Sequence, residues 1–298
     1  MASVYPAPRF LIRYDDLAQV YEVFYKNEIG EASGPPPLDA GLMAYFRHVL
    51  RTGTMYVAER DGGVVAFAGS IARGDVRYLT DLFVRPAAQS TGLGQTLLRH
   101  VLPADGRVHG ACSSTDPRAL ALYIRSGMRP RWPHFNLRLN RPLGDLPVAD
   151  VETVEARVDD PALARWDTET GGRPRPEEHE YWTREQRGVP LWFRRRGEVV
   201  GYGYARLGAG TLYYPQACTV GPIGARTPED AVVCVAAAVG WASRRAEVLR
   251  IDLPGPHPAL APLLAAGFRI VYVETFLSTG PAPFFDARRY AASGSSLF

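Results

Sequence analysis

The sequence predicts an α/β (α+β) fold made of two similar halves of sheet and helix, and three features carry that prediction. The run Val76-Arg77-Tyr78-Leu79-Thr80-Asp81-Leu82-Phe83-Val84 is rich in β-branched and aromatic residues and reads as a strand. It passes through Arg85-Pro86-Ala87-Ala88 into a segment whose Leu93, Leu97, Leu98, Val101 and Leu102 share one helix face, so the order is strand, tight loop, helix. Upstream, Met55 to Arg60 and Val64 to Ser70 read as strands joined by Asp61-Gly62-Gly63, a strong hairpin signal. Past the midpoint the pattern returns, with Leu191 to Val200 repeating the strand, polar turn and strand of Tyr56 to Val65. At 298 residues the chain is long enough for two domains of about 150 residues each.

The other elements follow in order. Residues 1 to 8 form a loose leader, and Phe10-Leu11-Ile12-Arg13-Tyr14 a first strand. Asp15 or Asp16 caps the next helix, with Leu17, Val20, Tyr21 and Phe24 on its inner face, and Gly34-Pro35-Pro36-Pro37 breaks it. A second helix, about Leu38 to Leu50, presents Leu42, Tyr45, Phe46, Val49 and Leu50. The hairpin and the Val76–Val84 strand then start the sheet as an antiparallel meander. After the helix that begins at Leu93, Asp105-Gly106 turns the chain into a strand from Arg107 to Cys112. Thr115 or Asp116 is the N-cap of a helix with Pro117 at its first position, and Gly127 closes it. Phe135 to Asn140 completes the first sheet, which sets domains at 1–140 and 149–298 with a Pro- and Gly-containing linker at 141–148.

The loop after Val84 carries the chemistry. Gly92 and Gly94 have no side chains, so the backbone can approach a ligand closely and adopt dihedrals that other residues resist. The N–H groups of the first helical turn are unpaired and the helix dipole adds partial positive charge there, which makes a ready pyrophosphate site. Two other phosphate-binding loops fit less well: no Gly-Lys pair occurs in the chain, and Leu97 stands where a dinucleotide fingerprint needs its third glycine.

Strand, Val84, Pro86 and then Gln89-x-x-Gly92-x-Gly94 opening an amphipathic helix resembles motif A of the GNAT superfamily of acyl-CoA-dependent N-acyltransferases. The run Ala119-Leu120-Ala121-Leu122-Tyr123-Ile124-Arg125-Ser126-Gly127-Met128 looks like motif B, with Met128 for the usual Phe. The resemblance implies two tandem GNAT-like domains, each a mixed, mostly antiparallel twisted sheet flanked by helices. It implies that Gln89, Ser90, Thr91, Gly92, Leu93, Gly94 and Gln95 bind the pyrophosphate of acetyl-CoA. It further implies that backbone N–H groups near Phe83 and Val84, with Leu82 beside them, polarise the thioester carbonyl, and that no metal is needed. Tyr123 would lie near the thioester sulfur, where a phenol with a pKa near 10 suits protonation of the departing thiolate. The base that takes the amine's proton is Asp81 or His109. Asp81 shares a strand face with Leu79 and Phe83 and suits a structural hydrogen bond equally well, whereas His109, near the start of its strand, is the weaker choice. Helices at the place of residues 38–50 line the acceptor pocket in the family, so Tyr45, Phe46 and His48 are pocket or core residues.

The second half keeps the outline and loses the loop. Counted from Val84 and Val220, Gly92 corresponds to Pro228 and Gly94 to Asp230; proline offers no N–H and a carboxylate repels a pyrophosphate. Ala259 to Phe268 mirrors motif B with Leu263 in the place of Tyr123. This half is therefore expected to be a degenerate GNAT-like domain without cofactor binding. Its entry, Trp166 to His179, is dense in polar, Pro and Gly residues; Asp167, Arg175 and His179 face a cleft or, more simply, form a solvated loop.

Composition narrows the function classes. With 46% apolar and 22% charged residues the chain is globular, and a net charge of +3 with dispersed arginines does not indicate nucleic-acid binding. Lys26 is the only lysine, a sign of a GC-rich, bacterial coding genome, and Arg194-Arg195-Arg196 reads as a solvated turn. Cys112, Cys218 and Cys234 are too few for a disulfide framework or metal knuckle, and neither a secretory leader nor a membrane-spanning run is evident, so a cytoplasmic protein is expected. The expected partner is a small-molecule amine acceptor, with no nucleic acid or membrane, and the state is monomer or homodimer. Two alternatives to small-molecule N-acetyl transfer are a non-catalytic acyl-CoA-binding or regulatory module and a protein or peptide N-acetyltransferase.

Overall fold

The structure, a computed structural model, describes residues 14–37, 39–140, 142–146, 150–209 and 214–298. The expected leader, nearly all of the expected first strand at 10–14, part of the 141–148 linker and residues 211–213 lie outside the described residues. The chain is a mixed α/β structure in two compact units, one within Met1–Ala72 and Arg77–Arg107, the other Arg73–Val76 with Val108–Phe298.

The first unit opens with α1 (Leu17–Ile29) and α2 (Ala40–Thr52). Asp16 stands at the N-cap of α1 but makes no side-chain capping bond, whereas Asp39 caps α2 by accepting from the Leu42 N–H at 2.9 Å. β1 (Thr54–Arg60) and β2 (Gly63–Arg73) pair antiparallel around Asp61 and Gly62, both at positive φ (52° and 79°), the type I′ turn that Asp-Gly favours. β3 (Val76–Val84) follows, and α3 (Leu93–Val101) buries Leu97, Leu98 and Val101, the face expected from their spacing.

The second unit holds β4 (Val108–Ser113), α4 (Pro117–Arg125), β5 (Arg129–Leu139), β6 (Val151–Glu155), α5 (Pro161–Gly171) and α6 (Pro176–Arg184). After these come β7 (Gly188–Arg195), β8 (Glu198–Arg206), β9 (Cys218–Ala225), α7 (Pro228–Ser243), β10 (Leu249–Pro254), α8 (Leu260–Ala265), β11 (Arg269–Ser278) and β12 (Tyr290–Ala291). Its strands run in the order β4-β11-β5-β10-β9-β8-β7-β6, with β12 beside β9. β5 is antiparallel to both neighbours, with Leu139 opposite Leu249 of β10 and Arg138 opposite Arg269 of β11, and β11 reaches on to β4 at Thr275 to Ser278. The last strand of each sequence half is thus paired with the other half. The compact units divide at 107/108, and β5 has its hydrogen-bond partners beyond the 141–148 stretch.

The recurrence seen in the sequence extends to hydrogen-bond detail. β7 and β8 turn at Arg196 and Gly197, again both at positive φ, and the bulge that offsets Ala58/Glu59 in β1 recurs at Phe193/Arg194 in β7. The bulged Val65 carbonyl accepts from the Arg85 N–H at 2.9 Å, and the bulged Val200 carbonyl accepts from Arg226 at 2.9 Å. Both motif B segments end in a Schellman turn: Met128 N–H bonds Tyr123 O and Gly127 N–H bonds Ile124 O, as Phe268 does Leu263 and Gly267 does Leu264. The same bulge, turn and cap thus recur in two stretches of unlike sequence.

The exchanged β5 makes a prediction about fragments. Residues 1–140 and 149–298, expressed separately, are expected to unfold at lower urea concentration than the whole chain and to co-purify when expressed together, since Leu137 and Leu139 are fully buried in a core cluster whose other members lie after residue 148. Independent, fully stable fragments would refute the exchange.

Candidate active site

The loop between β3 and α3 is built to leave main-chain donors free. A short 3-10 turn, Pro86–Ala88, ends β3; Gln89 Nε2 donates to the Val84 carbonyl at 3.1 Å and Thr91 Oγ1 to the Ala88 carbonyl at 2.7 Å, so these side chains brace the loop. Gly92 is the N-cap of α3 in the left-handed region, φ +87°, with no side-chain cap. A Cβ there would meet nothing within 4 Å, so glycine supplies the conformation and leaves open space above it. The first helical bond, Thr96 N–H to Gly92 O at 3.1 Å, starts after Leu93, Gly94 and Gln95, whose N–H groups precede it and have no backbone partner among the described residues. Ser90, Thr91, Gly92 and Gln95 are exposed and Leu93 and Gly94 half-buried, so an anion can reach these groups. The residues fit a diphosphate held by backbone and helix dipole.

Asp81 lies deeper in β3, 5% exposed. It accepts a hydrogen bond from Tyr45 of α2 at 2.6 Å, and burial pushes its carboxyl up to about 6 although the Tyr45 bond pulls the other way. Phe83 of the same strand stacks on Phe67 and meets Phe24 edge-on at 5.2 Å; Leu82, Phe83 and Val84 are all half-buried. Phe46 is buried between Phe24 and Phe67, a core residue, whereas Tyr45 is half-buried and reaches Asp81. In the second unit Tyr123 is 5% exposed on α4, and its carbonyl, bonded by the N–H groups of Ser126 and Met128, closes the helix. His109 is the second residue of β4, its N–H donating to Thr279 Oγ1 at 2.9 Å. Among the described residues no group of three or more His, Cys, Asp or Glu is arranged to hold a metal ion.

The equivalent place in the second half is closed in two ways. Arg226 is the counterpart of Arg85, and α7 begins two residues after it at Pro228, whereas α3 begins eight residues after Arg85 at Leu93. The count from Val84 and Val220 therefore misaligns the halves: Thr227, not Pro228, takes the N-cap place of Gly92, and the loop itself is missing. Thr227 Oγ1 accepts from the Asp230 N–H at 3.1 Å, and Asp230 pairs with Arg195 at 2.7 Å, so the helix start is capped and already carries a carboxylate. Next to it, β9 and β10 pair only from Cys218 to Val220 and Leu249 to Ile251; beyond, Tyr290 and Ala291 pair with Gly224 and Ile223, and Ala292 bridges Asp252. The chain's own last segment fills the gap.

The stretch 166–179 is not a solvated loop. Asp167 and Arg175 are 0% and 1% exposed and pair bidentately at 2.6 and 3.0 Å. Tyr202 donates to Asp167, Arg175 donates to the Tyr290 hydroxyl and, at 2.7 Å, to the Phe298 carbonyl, and His179 lies 3.3 Å from Asp167 with its other nitrogen on Tyr204 at 2.8 Å. Burial alone raises the Asp167 carboxyl, but the Arg175 charge and the bonds from His179 and Arg175 outweigh it and hold it well below the carboxylate range. Beside it Glu178, also buried, takes a bidentate bond from Arg73 at 2.6 and 2.8 Å. Composition alone reads such a run as polar surface; the signal available was Pro161 and Pro176, each opening a helix that fixes opposite charges within reach.

The site is a strand leading through a short turn to a helix start whose N-cap is glycine and has no side-chain cap. Residues 51–129 match the family model of the Acetyltransferase (GNAT) domain. The whole chain shares its fold with solved structures. One is a Pyrococcus horikoshii protein classed as an acetyltransferase, 16% identical, TM-score 0.74, covering 100% of this chain and 99% of that one. A GCN5-related N-acetyltransferase from Sphaerobacter thermophilus is 17% identical with TM-score 0.61, covering 95% and 98%. A tandem GNAT protein from the clavulanic acid biosynthesis pathway is 16% identical with TM-score 0.58, covering 91% and 96%. No curated protein matches this chain.

The buried Asp167–Arg175 pair gives a stability prediction. Asp167's pKa is lowered by folding, so the stability it contributes is full above the ordinary carboxylate value near 4 and is lost as pH falls below it. Asp167→Asn, which leaves Arg175 buried without its countercharge, is expected to cost about 3–5 kcal/mol at pH 7. Urea unfolding at pH 7, 5 and 3 should show the gap to wild type narrowing at the lowest pH.

Proposed function

We propose that the protein transfers an acetyl group from acetyl-CoA to the amine of a small molecule by direct attack. The observation that carries this reading is the Leu93, Gly94 and Gln95 N–H row behind Gly92, which has no backbone partner among the described residues. These donors hold the pyrophosphate, with Ser90 and Thr91 at the rim and Gln89 bracing the turn; Leu82, Phe83 and Val84 align the acyl end along β3. When bound, acetyl-CoA supplies a thioester carbon open to attack. Asp81 is the base: with a carboxyl near 6 it is mostly ionised at neutral pH and accepts the ammonium proton. The C–N bond forms as the C–S bond breaks; Tyr123, the proton donor that the resemblance assigns, gives its proton to the leaving thiolate, and the second proton shed by nitrogen as the amide forms restores the phenol through solvent. A small amine is favoured over a peptide because Asp81 is so nearly buried. Among the described residues Cys112, Cys218 and Cys234 form no disulfide, which suits a reducing cytoplasm.

Two measurements test the reading. Gly92→Glu places a carboxylate in the left-handed N-cap position and is expected to abolish CoA binding in calorimetry while leaving thermal stability within about 1–2 kcal/mol of wild type. Unchanged CoA affinity would remove the site assignment. Tyr123→Phe should lower kcat for thiol release, in a screen of amines, by roughly a hundredfold with CoA affinity retained. If CoA binds and no amine stimulates thiol release by the wild-type protein, a non-catalytic acyl-CoA-binding module is the better reading.

A further inference from the structure

The pairing of β10, β5 and β11 puts three arginines in one line across the strands. Arg250 of β10 stands directly opposite Arg138 of β5, and Arg138 stands directly opposite Arg269 of β11. Directly paired residues carry their side chains on the same side of a sheet with Cβ atoms about 5 Å apart, so one face bears a row of three guanidinium groups. Like charges so placed repel and cost the sheet stability.

Little in the chain offsets that cost. Arg250 has Asp252 Oδ1 at 3.9 Å, the outer limit of an ion pair, and reaches Asn136 Oδ1 only at 3.4 Å. Arg138 and Arg269 make no ion pair with a carboxylate among the described residues. Glu274, the next acid along β11, already accepts from Asn136 at 2.8 Å, and burial pushes its carboxyl up to about 7. The charges of the row also act beyond it: burial lowers Arg206, two strands from Arg250, to about 10, and Arg250 adds to that shift. The row is open to solvent as well. Arg269 is exposed, Arg138 and Arg250 are half-buried, and Tyr272, which stands opposite Asn136 on the same face, is 44% exposed. Arg138 lies 4.1 Å over the Tyr214 ring, a contact that steadies its guanidinium.

We propose that Arg250, Arg138 and Arg269 form a binding site for a small polyanion, one that carries two or more phosphate or carboxylate groups. A guanidinium presents its donors in a planar fork that grips either group through two parallel N–H···O bonds, and charge-assisted bonds of this kind are the strong sort. Two strand spacings separate the outer arginines, roughly 10 Å between Cα atoms, a span that one ligand with neighbouring charged groups covers. Three charges in so short a line are too few for a nucleic acid, whose affinity comes from many phosphate contacts along an extended backbone. The inference stands on β5, β10 and β11 and does not depend on the reading of the Gly92 loop.

The test uses the full chain carrying Gly92→Glu, so that the loop proposed to hold a diphosphate does not contribute. Inorganic pyrophosphate and citrate, titrated separately in a calorimeter, distinguish a phosphate ligand from a carboxylate one; binding of either at one per chain is expected, with none from sodium chloride at matched ionic strength. Adding Arg138→Gln should weaken binding at least about tenfold and Arg269→Gln about three- to fivefold, and Arg138→Lys, which keeps the charge and loses the fork, should also weaken it. Without anion, Arg269→Gln should melt at or above the temperature of its parent, because a repulsion has been removed. With saturating anion the parent should gain thermal stability and Arg138→Gln should not. Arg269 is exposed, so its variant tests the site even where Arg138→Gln does not fold. If neither anion binds, or if the variants bind as tightly as their parent, the row is a solvated basic surface and the inference fails.

Discussion

β5 has main-chain partners on both edges that come from far later in the sequence, β10 on one side and β11 on the other, and most of the second unit depends on that pairing. The strand follows directly from the Schellman turn at Gly127, so the end of α4, and with it Tyr123, is positioned by where β5 lies. Leu137 and Leu139 are buried in the core that also holds Leu249, Ile251 and Leu263. A side chain proposed for catalysis in one half of the sequence is therefore held in place by hydrophobic burial supplied by the other. That dependence gives a physical reason to retain a second GNAT-like half that has no loop of its own.

The two helix starts show how little chemistry separates a ligand site from a structural cap. At α3 the N-cap is glycine and offers no side-chain oxygen to its own first turn, so that turn's N–H groups and the positive end of the dipole are left without a side-chain cap. At α7 the N-cap is threonine, the first turn carries Glu229 and Asp230, and the donors and the dipole are satisfied internally. The second arrangement stabilises its helix by about 1 kcal/mol from the cap alone. The first forgoes that stabilisation, and an uncapped exposed helix end is the kind of local cost that a bound anion offsets.

Local chemistry was legible in the sequence, and non-local pairing was not. The Asp61-Gly62 turn, Asp116 and Pro117 opening α4, Gly127 closing it and the apolar face of α3 each depend on residues within a few positions of one another, and each stands where the pattern places it. The Val84 and Val220 alignment failed because two similar strand ends look interchangeable in one dimension, while the true register is set by which N–H bonds the bulged Val65 and Val200 carbonyls. The exchange of β5 and β11 was invisible for the same reason: either strand satisfies its alternation against either partner. Of the candidate site, Gly92 and Asp81 could be named from type and spacing, but Tyr45 could not be told from a core aromatic, since only the fold brings α2 and β3 within hydrogen-bonding distance.

Charge in the interior has a specific use in this molecule. Residues 293–298 run past β12 without a continuous strand partner, so their carbonyls need donors from elsewhere. Two buried arginines supply them: Arg206 bonds the Ser293 carbonyl and, at 2.7 Å, that of Gly221, and Arg175 bonds those of Phe298 and Leu297. A guanidinium presents five donors in a fixed fork, so one side chain can satisfy several irregular carbonyls and still pair with a carboxylate, as Arg175 does with Asp167. A lysine has one ammonium centre and would leave most of them unpaired. Buried ion pairs of this kind add little net stability, because desolvation consumes most of the attraction, so the gain lies in which segment occupies the gap between β9 and β10. With that gap filled by Tyr290 to Ala292 and the loop gone from the start of α7, the second half keeps the scaffold, while α3 starts at a glycine N-cap with no side-chain cap.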